Sequence, residues 1–408
     1  MKWLPFLIVF VLGGCGGASS APVGESTAIN ETATANLNES SDAAPESSSP
    51  ARFYSQEVSV VLQDDETAMW KLVSSALGNR CARDGALTLA ARKHASDVLQ
   101  HSTVVKENGI DYLRYALRLY GSADYLISPF VFDWNDEGKA ALLRMMGEHT
   151  EVWTHCGVGI HQYENQKKAV FIAATRVISL KAIPVQPKVG SRLSMSGILV
   201  GDENSDVNVF LELPNGHVQR LKSYVLGKKR FSVTVPFETE GKYTLELMVT
   251  RGSGPETAAL LPLYVGIPVD TRPSIFPVND DAVSDPRETM TLLINRIRRN
   301  MGLHPLVRDV RLDEVAQSHC RDMAASESFG HFSQSSGMLA DRLKAKQLYP
   351  RLTAENIAQS SSLMRVHHNL MQSPSHKIKL LTPEFTHLGL GVVEHDGVTV
   401  VTQVFAAW

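Results

Sequence analysis

Cysteine is scarce in this chain. Four occur in 408 residues, at positions 15, 81, 156 and 320, too few and too scattered for a small disulfide-stapled scaffold. A surplus of one charge is also lacking. The formal net charge is -3 and no basic stripe runs through the sequence, which excludes an electrostatic footprint for nucleic acid. Past the N-terminus no apolar run reaches the ~18 residues that a membrane-spanning helix needs. What is present is ordinary: 43% hydrophobic and 20% charged residues, enough for real cores. The length sets a soft expectation of two to three domains.

The first residues read as an export signal. Lys2 supplies a positive charge, and Leu4–Leu12 is an apolar run too short to span a bilayer. Leu12-Gly13-Gly14-Cys15 then resembles the bacterial lipobox, in which the cysteine is lipidated and becomes the mature N-terminus. Gly16 rather than Asp follows, which in Gram-negative lipoproteins implies sorting to the outer membrane. Such a lipid anchors without spanning. Residues 16–50 carry five acidic side chains, no Lys or Arg and no aromatic. A segment of this composition cannot bury enough surface to offset its ordering entropy, and it is expected to be a flexible tether.

Several landmarks occur twice. Met69, Leu72, Val73 and Ala76 follow helical spacing, as do Met290, Leu293, Ile294 and Ile297. Ala86–Val98 parallels Arg311–Met323, with His94 against His319. Thr154–Ile160 (THCGVGI) parallels Thr386–Val392 (THLGLGV). The offsets grow from 221 through 225 to 232, as small insertions in one copy would make them. A tandem duplication of one α/β unit is expected. The first copy lacks the polar residues of the second, with Glu355 falling near Leu126 and His376 near Arg144, so a structural or docking role is expected for it. Cys81 and Cys156 both lie in this copy. An exported protein permits a bridge between them, and sequence does not set their separation. Cys320 reads as a buried small hydrophobe.

Between Pro184 and Pro268 the period changes to two. Val207–Leu213 runs through Asn215-Gly216 into a second extended run, a strong hairpin signal. Phe231–Val235 and Tyr243–Val249 alternate, and Gly241-Lys242-Tyr243 resembles the corner of immunoglobulin-like sandwiches. A small β-sandwich for spacing or docking is expected.

The last 124 residues, Asp285–Trp408, carry the most distinctive order. Asp285-Pro286-Arg287-Glu288 is a well-formed helix start. Arg296-Ile297-Arg298, Gly302-Leu303, Gly330-His331-Phe332-Ser333, Ala354-Glu355-Asn356-Ile357-Ala358, Ser373-Pro374-Ser375-His376, Phe385-Thr386-His387 with Gly389 and Gly391, and Thr402-Gln403-Val404-Phe405 succeed one another. Each motif alone is weak. Their ordered succession resembles the bacterial branch of the CAP superfamily, whose SCP domain is shared with cysteine-rich secretory proteins and plant pathogenesis-related proteins.

The resemblance implies an α-β-α sandwich with a surface cleft. It implies that His331, Glu355 and His376 face that cleft, where such residues can hold zinc or another divalent metal. Imidazole and carboxylate suit zinc, but the spacings of 24 and 21 residues match no short metal motif, so only the family suggests the metal. No clear match exists for the second glutamate many relatives carry, and Lys377 and Lys379 stand where an arginine and an asparagine are usual. Asn356 and Ser333 are supporting candidates. A Ser333/His331 nucleophile lacks an orienting acid in the sequence. His387 and Gly389 suit packing, and His367-His368 suit a helix surface.

The expected class is α+β: a signal peptide over 1–14, a lipidated linker over 15–50, a degenerate CAP-like α/β unit over 51–181, an immunoglobulin-like β-sandwich over 182–270 and a CAP/SCP domain over 282–408. The expected function is an exported, lipid-anchored protein. Its partners are the membrane, through the lipid, and a lipid- or sterol-like ligand, a metal or an envelope protein in the C-terminal cleft. The alternative is a metal-dependent hydrolase with Glu355 as general base.

Overall fold

The computed structural model describes residues 50–408, apart from 56, 149–151, 202–205, 227–228, 252–253, 273–284 and 327. The signal peptide, Cys15 and the tether lie outside the described residues. No helix among the described residues is long and apolar enough to cross a membrane.

The chain opens with β1 (Phe53–Tyr54), α1 (Asp64–Leu77), β2 (Ala82–Arg83), α2 (Gly85–Gln100), α3 (Ser102–Leu119), β3 (Ile127–Asp133), α4 (Asp136–Glu148), β4 (His155–Tyr163) and β5 (Gln166–Ala174). The sheet runs β2-β4-β5-β3, with β2 parallel to β4 and the other pairs antiparallel. Strand alternation sends Ala169, Phe171 and Ala173 toward α1 and α4, and Val170, Ile172 and Ala174 toward α2 and α3. Cys81 and Cys156 are bridged, with Cα atoms 5.7 Å apart.

Two facing sheets follow. β6 (Ile178–Leu180), β7 (Ile183–Pro184), β8 (Arg192–Leu199), β9 (Asp206–Glu212), β10 (Val218–Leu221), β11 (Ser223–Leu226), β12 (Arg230–Pro236), β13 (Gly241–Arg251) and β14 (Gly254–Val265) supply them. One sheet runs β10-β9-β13-β14 and the other β11-β12-β8-β6, while β7 pairs with β1. Val209, Leu211, Val233, Val235, Leu245 and Leu247 share one core between them. Gly216 turns the β9–β10 hairpin at a φ of 83°, where a side chain would be strained. The Tyr243 hydroxyl donates to Thr239 O at 3.0 Å.

The last third contains α5 (Pro286–Asn300), β15 (Val307–Arg308), α6 (Val310–Ser326), α7 (Leu339–Ala345), β16 (Leu352–Ser360), α8 (Leu363–Gln372), α9 (Pro374–Leu380), β17 (His387–His395) and β18 (Val398–Ala407). Asp285 caps α5, accepting from the amides of Arg287 and Glu288 at 2.9 and 3.3 Å. The sheet order β15-β17-β18-β16 matches that of the first sheet, again with the short strand parallel. β18 is buried on both faces. Val401, Phe405 and Ala407 pack toward α5 and α8, and Val404 and Ala406 toward α6. The layers are therefore helix, sheet, helix.

The likeness between the two helix-and-sheet units extends to single hydrogen bonds. Ala82 N donates to Thr154 O and Asp84 N to Cys156 O; Val307 N donates to Thr386 O and Asp309 N to Leu388 O, all at 2.9 Å. Gly157 and Gly159 lie against the backbone of α2, and Gly389 and Gly391 against that of α6; a Cβ on any of the four would stand 2.1–2.4 Å from helix backbone. Ile160 N reaches Glu66, which is paired with Arg92, while Val392 N reaches Gln317, which is paired with Arg287. The register adjusts one expectation. Glu355 pairs with Val404, and the residue 232 positions before Val404 is Ile172, which pairs with Pro129. Pro129, not Leu126, thus holds the position of Glu355.

Candidate functional site

Glu355 projects from the middle of β16 and its side chain is 3% exposed. A buried carboxylate must be paired or lose its charge. Arg342 on α7 donates to Oε2 at 2.5 Å, and His331 Nδ1 lies 2.8 Å from Oε1. His319 on α6 stands 4.0 Å from the same oxygen while its Nε2 meets Gly330 O at 3.0 Å. Burial raises the Glu355 pKa, but the His331 bond and the charges of Arg342 and His319 outweigh it and hold the group below the usual carboxylate range. Arg342 also donates to the carbonyls of His331 and Gly337, at 3.1 and 2.7 Å, so it fixes the His331 loop to the carboxylate.

His376 lies on α9, with its Nδ1 2.7 Å from Ser373 Oγ. Burial, followed by the charges of Lys379 and His331, lowers its pKa to about 3, so the ring is neutral. Lys379 donates to the backbone carbonyl of Glu355 at 2.8 Å, and burial lowers its pKa to about 8. Ser373 leads across to the β-sandwich. Its hydroxyl donates to Glu246 Oε1 at 2.8 Å, and Ser375 N donates to Oε2 at 2.6 Å. Glu246 is fully buried on β13, also accepts from Thr257, and is pushed up in pKa by that burial. The sequence assigns the sandwich only spacing or docking. Instead it presses a carboxylate against the residues that hold His376, and Gly254 at the start of β14 faces the His331 ring.

The expected residues thus separate into two sets. His331 and Glu355 meet directly; His376 belongs to the neighbouring Ser373–Glu246 set. Asn356 donates to His376 O at 3.1 Å and Gln403 Oε1 at 3.2 Å, bracing α9 against β16 and β18. Ser333 donates to Asp322 at 3.0 Å and makes no bond to His331. His387 meets Trp408 edge-on, and Gly389 admits α6. His367 departs from expectation: it is buried, with a pKa lowered to about 4 chiefly by burial. Cys320 is buried and unbridged.

Arg342 is the residue that sequence reasoning missed. Its signal is faint, an arginine beside Leu343 on the buried side of α7. In the sequence His319 stands out only as the counterpart of His94.

The divalent metal implied by the resemblance can be tested on the donors themselves. Both oxygens of Glu355 are occupied, and Arg342 and Lys379 add positive charge beside them. Among the described residues no three of His, Cys, Asp and Glu stand together as an ion would require. As placed, these side chains do not fit a divalent cation.

Residues 292–405 match the family described as CAP, the Cysteine-rich secretory protein family. The uncharacterized protein YkwD of Bacillus subtilis is 31% identical over 118 residues, covering 29% of this chain and 46% of that protein. The uncharacterized membrane protein YlbC of the same organism is 36% identical over 101 residues, covering 24% of this chain and 29% of that protein. The chain therefore spans less than half the length of either curated relative. An extracellular SCP-domain protein from Bacillus anthracis is 21% identical with a TM-score of 0.29, covering 46% of this chain and 67% of that one. A cysteine-rich secretory protein from Staphylococcus aureus is 12% identical with a TM-score of 0.27, covering 66% and 90%. The similarity to the CAP family is thus confined to residues 292–405 of this chain.

Proposed function

We propose that this is an exported, lipid-anchored protein whose C-terminal domain binds a small apolar ligand beside His331. The observation that carries this is the state of Glu355. A carboxylate bonded on one oxygen by Arg342 and on the other by His331, with a depressed pKa, is a poor proton acceptor. The cluster is better suited to holding the shape of the 329–338 loop than to moving protons. That loop presents Phe329, Phe332 and Met338, all exposed, and exposed large apolar side chains grouped together mark interaction surfaces. The extracellular SCP-domain protein of Bacillus anthracis and the lipobox are consistent with export. The sandwich and the first helix-and-sheet unit serve as support in this reading.

Two titrations test it. A fluorescent fatty acid added to the described region should saturate one site, and a Phe329→Ser/Phe332→Ser variant should weaken it about tenfold, the loss of roughly one buried aromatic contact. Zinc is titrated in parallel into the parent and a His331→Ala/His376→Ala variant. Micromolar zinc binding lost in the variant, without fatty-acid binding, would overturn the proposal and favour a metal-assisted hydrolase.

A further inference from the structure

A cleft lies away from the Glu355 cluster, where α3 of the first unit, β14 of the sandwich, α8 of the C-terminal domain and residues 269–272 converge. It is open to solvent, with about 850 Å³ of space when the mouth is counted. Its walls are unusual in charge. Arg114 and Arg118 stand one turn apart on α3, on the same face of the helix. Tyr54, Tyr115, Tyr125 and Tyr264 surround them.

The acidic residues of the cleft are already committed. Asp111 accepts from Arg365 at 3.0 Å, and Asp270 accepts from Arg272 at 3.1–3.2 Å. Arg114 lies 4.8 Å over the Tyr125 ring, and its Nε is buried without a partner. No carboxylate among the described residues pairs with Arg118. The titratable groups that act on it are Tyr54, Arg114, Tyr264 and Tyr125, none of them a carboxylate, and burial lowers its pKa. Two guanidinium groups one turn apart repel each other, and partial burial raises that cost. A counter-anion would relieve both, and arginine forks match the planar oxygens of carboxylate and phosphate. The tyrosine rings supply flat apolar surface next to that charge.

We infer that this cleft binds an organic anion, with a carboxylate or phosphate group held between Arg114 and Arg118 and a flat or apolar body lying against the tyrosines. The inference does not depend on what the 329–338 loop binds.

Calorimetry on the intact protein at low ionic strength tests it, with benzoate, phenyl phosphate, inorganic phosphate and the neutral benzyl alcohol as probes. Benzoate or phenyl phosphate should saturate a single site and bind at least about tenfold more tightly than benzyl alcohol, the equivalent of one charged hydrogen bond. Whichever of the two binds identifies the head group. Inorganic phosphate should bind more weakly than phenyl phosphate if the tyrosines contribute. Arg118→Gln and Arg114→Gln should each weaken the preferred probe by a further tenfold or more. Arg118→Lys keeps the charge and should retain part of the affinity, so a fold defect in the Gln variants would not hide the answer. Absence of saturable binding by every anion would overturn the inference, as would equal binding of benzyl alcohol or affinity unchanged in both Gln variants.

Discussion

Arg342 and Glu355 decide the character of the C-terminal site. Both side chains are 3% exposed, and breaking a buried pair leaves the remaining charge uncompensated. Arg342→Met should therefore cost about 3–5 kcal/mol. Adding Glu355→Gln should restore much of that loss, because the orphaned charge is then gone; urea unfolding of the two variants measures both. An equal loss in the double variant would mean that Arg342 acts through the carbonyls of His331 and Gly337 instead. The buried histidines give a pH signature. His376 and His367 have pKa values of about 3 and 4, lowered from 6.5. Their folded values lie below their unfolded ones, so the stability they contribute is present above pH 6.5 and falls away as the pH drops toward 3–4. Urea midpoints at pH 7.5, 5.5 and 4.5 should decline, and more steeply than in a His376→Gln/His367→Gln variant. At this scale the sequence named His331 and Glu355 through motif order, yet could not name Arg342. One arginine in a short helix gives no period to read, and its burial is fixed by a strand ten residues further on.

Elements were more legible than single contacts. The alternation of Phe231–Val235 and the helical spacing of Met290, Leu293 and Ile294 are both realised, because each follows from one local period. The glycines of THCGVGI and THLGLGV have a reason that only packing reveals. They let α2 and α6 approach their sheets so closely that a Cβ has no room. Gly159→Ala and Gly391→Ala should each destabilise their own unit by at least about 1–3 kcal/mol, the cost of overpacking a filled core. Thermal melts should show similar penalties for both. Loss in one unit only would weaken the reading of the two as copies of a single ancestral unit. That reading rests on matched backbone bonds, matched strand order and matched glycines. The first unit lacks the acidic strand residue, since Pro129 stands in register where Glu355 does.

For the whole molecule, the unexpected feature is how the sandwich engages the C-terminal domain. The sequence separated the segments by their change of period, but a buried Glu246 among alternating strand residues reads as an outward-facing polar position. Only the approach of α9 explains its burial. Glu246→Ala would leave Ser375 N, Ser373 and Thr257 without their shared acceptor, at about 1–3 kcal/mol for each buried group left unpaired. Scanning calorimetry should then resolve the sandwich and the C-terminal domain as separate transitions where the parent unfolds them together. A single unshifted transition would show that Glu246 does not couple the two.

The Cys81–Cys156 bridge has a mechanical consequence. Pulled from its two ends, the chain would carry tension through the covalent link, bypassing α2, α3, β3 and α4, which lie between the cysteines. The 75-residue separation amounts to about 250 Å of contour that cannot be drawn out while the bridge is intact. Reduction would release that length, so the redox state of one bond sets how far the first unit can lengthen under load.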